Sequence, residues 1–523
     1  MDPLVILLAF AAGLVFRRIG YPPLPGYLLA GFAAHGLGVG NLATITAVAD
    51  LGLLLLLFTI GLKLNLREIA VPQVWAVAGL HMAIVVPLTT LVILLAAAAF
   101  PVLHLEDPGT DLLLALALSF SSTVFAVKAF EDRGEQGSYH ASLAIGILVL
   151  QDILAVAVLV YLSGKIPSVW ALALPCLILA RPLLFRVLGS ARHGELVLLF
   201  GFLMATGGAA IFEAVDLKGG LGALAAGMLL AGADQSRELY KNLISLKDLF
   251  LVGFFVQIGY YGLPSEHMWL VALVLSLLIF LRPLIYFSLF VLFRLRARTS
   301  LLASAALFNY SEFGLVVAAF AVEAGSLSPQ WLTTLALAVT LSFFIATPIN
   351  TRIHSLYGRF STRLQTLERD ERIPEEVPAD LGSADIVILG MGRVGKGAYE
   401  RLREIFPEDQ IVGVEEVFDK VRKHIDAGFH CVHGDASDHD FWAHSGLKHK
   451  KLVLISLTNH TENLLAVEQA RALGFTGTLA VVSRFKDEKK ELEELGCIAF
   501  NLYGEAGHGF ADHVSNEIEI ESS

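Results

Sequence analysis

The chain has 523 residues, of which 55% are hydrophobic and only 17% charged, with a net charge of −11 and a mean hydropathy of +0.66. Soluble domains hold roughly 45–50% apolar and about 25% charged residues, so an ordinary soluble protein is excluded and a polytopic membrane protein is expected, with no nucleic-acid partner. Cys176, Cys431 and Cys497 lie far apart without metal-ligand spacing, which argues against a disulfide framework or a zinc site. Met1-Asp2-Pro3 leads straight into an apolar run with no basic region before it, unlike a cleaved signal peptide.

The apolar excess is confined to residues 1–350, and 360–523 have soluble-protein composition. Breaking the apolar runs at turn and charge clusters gives about 13 segments of spanning or half-spanning length. They cover 3–16, 23–38, 46–62, 73–100, 111–130, 138–163, 167–186, 194–213, 217–233, 248–262, 267–293, 299–322 and 329–350. Basic residues test this count. An odd number with a cytosolic C-terminal part puts the N-terminus outside. Cytosolic connections then hold Arg17, Arg18, Lys63, Arg67, Lys128, Arg133, Arg186, Arg192, Arg237, Lys241, Lys247, Arg294, Arg296 and Arg298, whereas the outward loops hold only Lys165 and Lys218.

Two segments look interrupted. The fifth contains Ser119-Phe-Ser-Ser-Thr123 and the twelfth Asn309-Tyr-Ser-Glu-Phe-Gly314. Their odd offset suits inverted repeats, and paired broken helices in corresponding positions point to a transporter's substrate site. The sixth segment carries Gln151-Asp152 in otherwise apolar surroundings. A carboxylate at bilayer depth costs roughly 2.5–3.5 kcal/mol on insertion scales and marks a functional site. A group that takes either a proton or a dehydrated cation, never both, couples two fluxes by competition. Asp152 is therefore the candidate carrier, and Gln151 is expected to supply a neutral carbonyl oxygen. With one carboxylate, one cation exchanges for one proton, so the exchange is expected to be electroneutral. Glu312, at the second break, is expected to neutralise helix ends, to pair with Arg282 in the eleventh segment or to ligand the ion. Arg282 is expected to face the protein interior, in an ion pair that releases when Asp152 or Glu312 changes state or in a purely structural pair. Arg181 is expected to snorkel, Glu213 and Asp216 to lie in a loop, and His140 to be interfacial with no role toward the ion.

Residues 351–383 read as a polar linker with helical pieces. From residue 384 onward short apolar strands (385–389, 410–414, 429–432, 451–456, 478–483 and 497–501) alternate with amphipathic stretches, which predicts a doubly wound parallel sheet. Gly390-Met-Gly392-Arg-Val-Gly395 joins the first strand to the first helix, where its glycines allow a tight turn and close approach of a phosphate. Glu415 ends the second strand 20 residues after Gly395, where an acid would meet a ribose hydroxyl. Gly434-Asp435-Ala436 follows the third strand, near the expected base. Arg393 in the turn is placed to meet a phosphate, and Arg484 ends the fifth strand at the same crevice. Val394 completes the turn. No second soluble domain and no haem, flavin or iron-sulfur spacing accompanies this fingerprint, so the nucleotide reads as a ligand, with no redox cofactor and no enzyme activity.

Leu57-Phe-Thr-Ile-Gly-Leu-Lys63, Ser121-Ser-Thr-Val-Phe-Ala126, Leu150-Gln-Asp152-Ile, the 219–231 run and Ser311-Glu-Phe-Gly314 together resemble the cation:proton antiporter-2 family, above all its Kef-type potassium/proton antiporters. The C-terminal part is similar to their Rossmann-type RCK (TrkA-N) domain. The resemblance implies a 13-helix homodimer, joined through both membrane and RCK domains, in the inner membrane with the RCK domain cytosolic. It implies K+ efflux coupled to H+ entry, with K+ at Asp152, Gln151, Ser122 and Thr123. A glutamine-aspartate pair marks potassium-type members, whereas sodium-type relatives carry Asn-Asp or Asp-Asp. Gly390, Gly392, Arg393, Gly395, Glu415 and Asp435 inherit the binding of AMP or NAD(H). The 232–241 loop lacks the His-Ala-Leu-Glu motif of glutathione-gated members, Lys63 stands where the family often has an acid, and the chain stops soon after the RCK core. Gating by glutathione and an ancillary protein partner are therefore not expected. Sodium/proton exchange with the same regulation is the alternative. An RCK-gated potassium channel would need a filter of the Thr-Val-Gly-Tyr-Gly kind, which this chain does not carry.

Overall fold

The computed structural model describes the chain apart from residues 1, 64–70, 100–108, 134, 136–137, 163–167, 191–193, 232–234, 370, 374–375, 378–379, 437–440, 443–444, 458 and 519–523. The acidic 104–108 stretch, Lys165 and the start of the 232–241 loop lie outside the described residues. The chain divides into two compact units. The first comprises Met1–Val127, Leu143–Phe293 and Ser300–Leu367; the second comprises Lys128–Ser142, Arg294–Thr299 and Glu368–Ser523. The division is thus not a single cut in the chain, because two short segments flanked by apolar helices go with the C-terminal part. Within the second unit Glu376 bonds the Nε of Arg296 at 2.7 Å, and Glu368 accepts from the backbone of Ala297 at 2.8 Å.

The first unit is helical. Its elements are α1 (Pro3–Arg18), α2 (Leu24–Leu37), α3 (Leu42–Lys63), α4 (Pro72–Ala99), α5 (Thr110–Ser119), α6 (Thr123–Arg133, entering the second unit), α7 (Tyr139–Leu162), α8 (Arg181–Ser190), α9 (Glu195–Glu213), α10 (Gly219–Leu230), α11 (Ser236–Tyr260), α12 (Glu266–Leu277), α13 (Leu281–Leu292), α14 (Ala297–Ala306), α15 (Glu312–Glu323), α16 (Pro329–Thr351) and α17 (Ile353–Gln365). Among the described residues, eight helical stretches are long and apolar enough to cross a membrane. The 167–186 segment departs from expectation. Val169–Ala180 is a 3-10 helix before α8, and Pro175 inside it lacks the amide hydrogen that an α-helix would use.

Small residues allow the helices to approach closely. A Cβ on Gly61 of α3 would lie 2.2 Å from the Leu224 carbonyl, and one on Gly227 of α10 would lie 2.2 Å from that of Phe58. Any larger side chain would separate these two helices. Phe58, Leu55, Ala223 and Ala226 fill the seam. A larger core gathers Phe120, Phe125, Phe254, Phe313, Trp331 and Phe343 around the two interrupted helices.

The second unit holds a six-stranded sheet: β1 (Ile386–Leu389), β2 (Ile411–Glu415), β3 (Cys431–His433), β4 (Leu452–Ile455), β5 (Thr478–Ser483) and β6 (Ile498–Asn501). All neighbours run parallel, in the order β3-β2-β1-β4-β5-β6. The strands fall within about two residues of the sequence expectation. β1 is buried at every position, as a strand covered on both faces must be. The helices α18 (Arg393–Leu402), α19 (Phe418–Asp426), α20 (His460–Ala472) and α21 (Lys486–Glu494) provide the crossovers, and α22 (Leu502–Ile518) follows β6. In this order the direction in which successive strands are added reverses between β1 and β4, which opens a crevice at the carboxyl ends of the strands.

Candidate functional site

Both interruptions expected in the membrane-spanning part exist, and they cross. The first lies between α5 and α6 at residues 120–122, and the second between α14 and α15 at 307–311. Ser311 N–H donates to the Phe120 carbonyl at 3.1 Å, and Ser122 N–H donates to Asn309 Oδ1 at 3.1 Å. Unwound backbone at such depth needs partners inside the protein, and these bonds supply some of them. Arg282 supplies most of the rest. Its guanidinium donates to the carbonyls of Leu118, Ser119, Phe120 and Asn309 at 2.7–3.3 Å, and to Ser121 Oγ at 2.6 Å. Arg282 thus caps the carboxyl ends of α5 and α14, where the helix dipoles favour a cation. In place of the ion pair expected for it, releasing or structural, Arg282 donates to carbonyls, because the broken helices expose several acceptors that its five N–H groups can meet at once.

Glu312 is the first residue of α15 and is 4% exposed. It meets the positive end of that helix dipole, and its Oε2 has no hydrogen-bond partner among the described residues. No ion pair joins it to Arg282 among the described residues.

Asp152 and Gln151 sit midway along α7. Asp152 is half-buried, and its Oδ2 lies 3.4 Å from the hydroxyl of Thr123, which opens α6. A carboxylate therefore faces the amino-terminal end of a broken helix. Gln151 is 1% exposed. Its Oε1 accepts from Ser121 N–H at 2.9 Å, and its Nε2 donates to the Tyr286 hydroxyl at 2.9 Å. Ser122 caps α6, its Oγ accepting from Phe125 N–H at 3.2 Å. The structure therefore brings Gln151, Asp152, Ser122, Thr123 and Arg282 to one crossing. Sequence reasoning missed Tyr286 and His81, and it gave Ser121 no role beyond its place in the interrupted segment. The His81 ring stacks on Tyr286 with centroids 3.8 Å apart and planes 10° apart, and it is fully buried. A histidine within the apolar 73–100 run was the available signal. Arg181 bonds the Ala231 carbonyl at 2.7 Å. Glu213 ends α9, and Asp216 takes a left-handed turn with φ 63°. His140 is buried rather than interfacial, with its Nε2 3.0 Å from Ser138 Oγ and 3.2 Å from Glu135.

In the second unit the glycine turn sits where the sheet order reverses. Gly390 has φ +90°, a region that favours glycine. A Cβ on Gly395 would lie 2.0 Å from the Gly390 carbonyl, whereas one on Gly392 would meet nothing within 4 Å. Gly395 thus closes the turn, and Gly392 leaves its face open. The adjoining crevice, of about 590 Å³, is lined by Gly390, Gly392, Glu415, Asp435, Ala436 and Arg484 of the expected set. Arg393 and Val394 open α18 but are not among the residues lining it. Glu415 is engaged by Lys420 Nζ at 3.3 Å and by Val417 N–H at 3.3 Å.

The crevice also contains acids that local patterns did not mark: Glu416, Glu462 and, from the 128–142 segment of this unit, Glu131 and Glu135. Burial, with the charges of Asp435, Glu462 and Glu415, pushes the Glu416 carboxyl up to about 9 against the opposing pull of Arg298. Burial, with Asp435 and Glu135, pushes Glu462 up to about 7. Asp435 bonds Arg298 at 3.2 Å, with Arg298 only 4% exposed. Ser456 and Asn459, which follow β4, complete the opposite rim.

Residues 5–353 match the family described as "Sodium/hydrogen exchanger, transmembrane". The chain belongs to that family. The exchanger is a transporter rather than an enzyme, and its residues 386–500 match the TrkA-N domain. It is 27% identical to YbaL of Escherichia coli (strain K12), named as a cation/proton antiporter, over 94% of this chain and 92% of that one. It is also 27% identical to KefB of Alkalimonas amylolytica, named as a K(+) efflux antiporter, over 94% and 78%. Among solved structures it is similar to the sodium proton antiporter MjNhaP1 of Methanocaldococcus jannaschii, at 16% identity and a TM-score of 0.46, over 69% of this chain and 96% of that one. The exchanger therefore joins a membrane antiporter domain to a C-terminal Rossmann-like domain with a parallel sheet.

Proposed function

We propose that the protein is a potassium/proton antiporter that exchanges K+ outward for H+ inward, one for one, at Asp152. The observation that carries this is the approach of Asp152 to Thr123 at the mouth of a broken helix, in a crossing where Gln151 and Asn309 are bonded to the unwound backbone and Ser122 caps α6. The carboxylate binds either a proton or a dehydrated cation. Alternate occupancy couples the two fluxes and leaves no net charge movement. Ser122 and Thr123 would supply oxygens beside the ion. The Gln151-Asp152 pair and the relative named as a K(+) efflux antiporter support potassium, and the family's description favours sodium as the second reading.

The second part of the reading is regulation by AMP or NAD(H) bound at the Gly390–Gly395 turn. Glu415 would take the ribose, Asp435 and Ala436 would lie near the base, and Arg484 and Lys420 would provide positive charge. Residues 128–142 and 294–299 support the coupling. They line or bond this crevice through Glu131, Glu135 and Arg298, and in the chain they continue directly into α6, α7 and α14. Arg393 would contribute from the outer end of the turn. The distribution of Arg and Lys supports an inner-membrane orientation with the N-terminus outside and the TrkA-N domain in the cytosol. A homodimer through both domains completes the reading, with the exposed apolar faces of α1 and α9 open to lipid or to a second copy.

Proton flux into proteoliposomes carrying an internal pH dye tests the reading, with pulses of K+, Na+ or Rb+ given to the parent and to Asp152→Asn, with and without AMP. The expected outcome is a potassium-selective response in the parent that Asp152→Asn abolishes and AMP alters. A response surviving Asp152→Asn would refute the carrier assignment, and a sodium-selective one would transfer it to the second reading.

A further inference from the structure

Gln151 and Asp152 are neighbours on α7, and adjacent helical residues do not face each other. Asp152 faces Thr123, while Gln151 faces the unwound segment and α13. The orientation of the Gln151 amide is unambiguous. Ser121 N–H can only donate, so Oε1 meets it, and Nε2 is left for the Tyr286 hydroxyl, which accepts at 2.9 Å. Tyr286 is fully buried. Its ring is stacked on His81 and lies 6.1 Å from the Phe290 ring, and its hydroxyl also meets the side chains of Ser121 and Arg282. Ser121, held by Gln151 through its N–H, is held again through its hydroxyl, which receives Arg282 at 2.6 Å and donates to the Leu307 carbonyl at 3.1 Å. Ser122 and Thr123 follow immediately, and Thr123 touches the carrier carboxylate.

From this chain of contacts we infer that Tyr286 is a positioning residue that sets cation preference by fixing the Gln151 amide. Gln151 acts as a strut between α13 and the first helix break. It sets how far the Ser121–Thr123 segment stands from Asp152, and hence the size of the space in which a dehydrated cation fits. Glutamine suits this span because its reach serves both Ser121 and Tyr286, and an asparagine is one methylene shorter. The inference rests on the reading of Asp152 as the carrier, and it adds a residue that never touches the ion.

The test uses the full chain in proteoliposomes, with K+, Na+ and Rb+ pulses given to the parent, Asp152→Asn, Tyr286→Phe, Gln151→Leu and the Tyr286→Phe/Gln151→Leu double variant. Tyr286→Phe keeps the ring and its stack and removes only the hydroxyl. Exchange is expected to persist in Tyr286→Phe, with the preference for K+ over Na+ falling about fivefold, the size expected for one lost hydrogen bond. The loss should sit in the KM for K+ rather than in kcat. The double variant should fall well short of the sum of the two single effects, because Tyr286 and Gln151 hold the same segment at Ser121. Unchanged preference in Tyr286→Phe, or independent and additive effects, would overturn the inference while leaving Asp152 as the carrier. A parent without exchange would end both. Where Tyr286→Phe fails to fold, Tyr286→Leu, which also lacks the hydroxyl, carries the same test, with the same loss of preference expected and an unchanged preference overturning the inference.

Discussion

The helix crossing and the nucleotide crevice solve opposite problems with backbone ends. At the crossing the bilayer excludes water, so acceptors freed by the unwound segments must be met from within. Arg282 alone takes four carbonyls and a hydroxyl. In the crevice, the face of Gly392 is open and the amino end of α18 has no side-chain cap, the arrangement that suits close approach of a phosphate. Charge follows the same division. The crossing separates its charged groups onto helix ends of opposite dipole, with Arg282 at carboxyl ends and Glu312 at an amino end. The crevice crowds acids together, and two of them hold protons well above the ordinary carboxylate range.

The largest effect expected from breaking this contrast comes from Arg282→Met, which would leave buried acceptors without donors. A loss of about 3–5 kcal/mol is expected for removing one partner of a buried charged network, read as a lower melting temperature of the detergent-solubilised protein. A near-parent melting temperature would show that the carbonyls find other donors. Next comes Gly395→Ala. A Cβ 2.0 Å from the Gly390 carbonyl would distort the turn. Binding of AMP by calorimetry should weaken at least about tenfold, an interaction difference of about 1.4 kcal/mol, while exchange without nucleotide continues.

The smallest effect expected is on pH dependence. Glu416 and Glu462 have raised folded values, so the folded chain holds their protons where the unfolded chain has released them. Their contribution is therefore present at low pH and is lost as pH rises above about 4.5, through about 7 for Glu462 and towards about 9 for Glu416. Glu462→Gln should flatten the fall in melting temperature between pH 5 and pH 8. An unaltered slope would place the titration elsewhere.

Local patterns in the chain carried much of this. Apolar runs and basic residues predicted a helical membrane part. The serine-rich interruption at 119–123 and the polar one at 309–314 predicted both broken helices. Period and glycine spacing predicted six parallel strands and a phosphate-binding turn. Asp152 declared itself because a carboxylate in an apolar helix is costly enough to need a reason. What the sequence alone determined is therefore what short-range chemistry encodes: where helices break, which strands are buried and where an acid sits at depth. Tertiary structure alone decided the partners. Gln151 meets Tyr286 across 135 positions, Arg282 reaches Ser119 across 163, and Glu131 lines the same crevice as Gly390. No periodicity records such pairings, because they depend on which helices pack together, and that is set by many weak contacts spread over the whole chain.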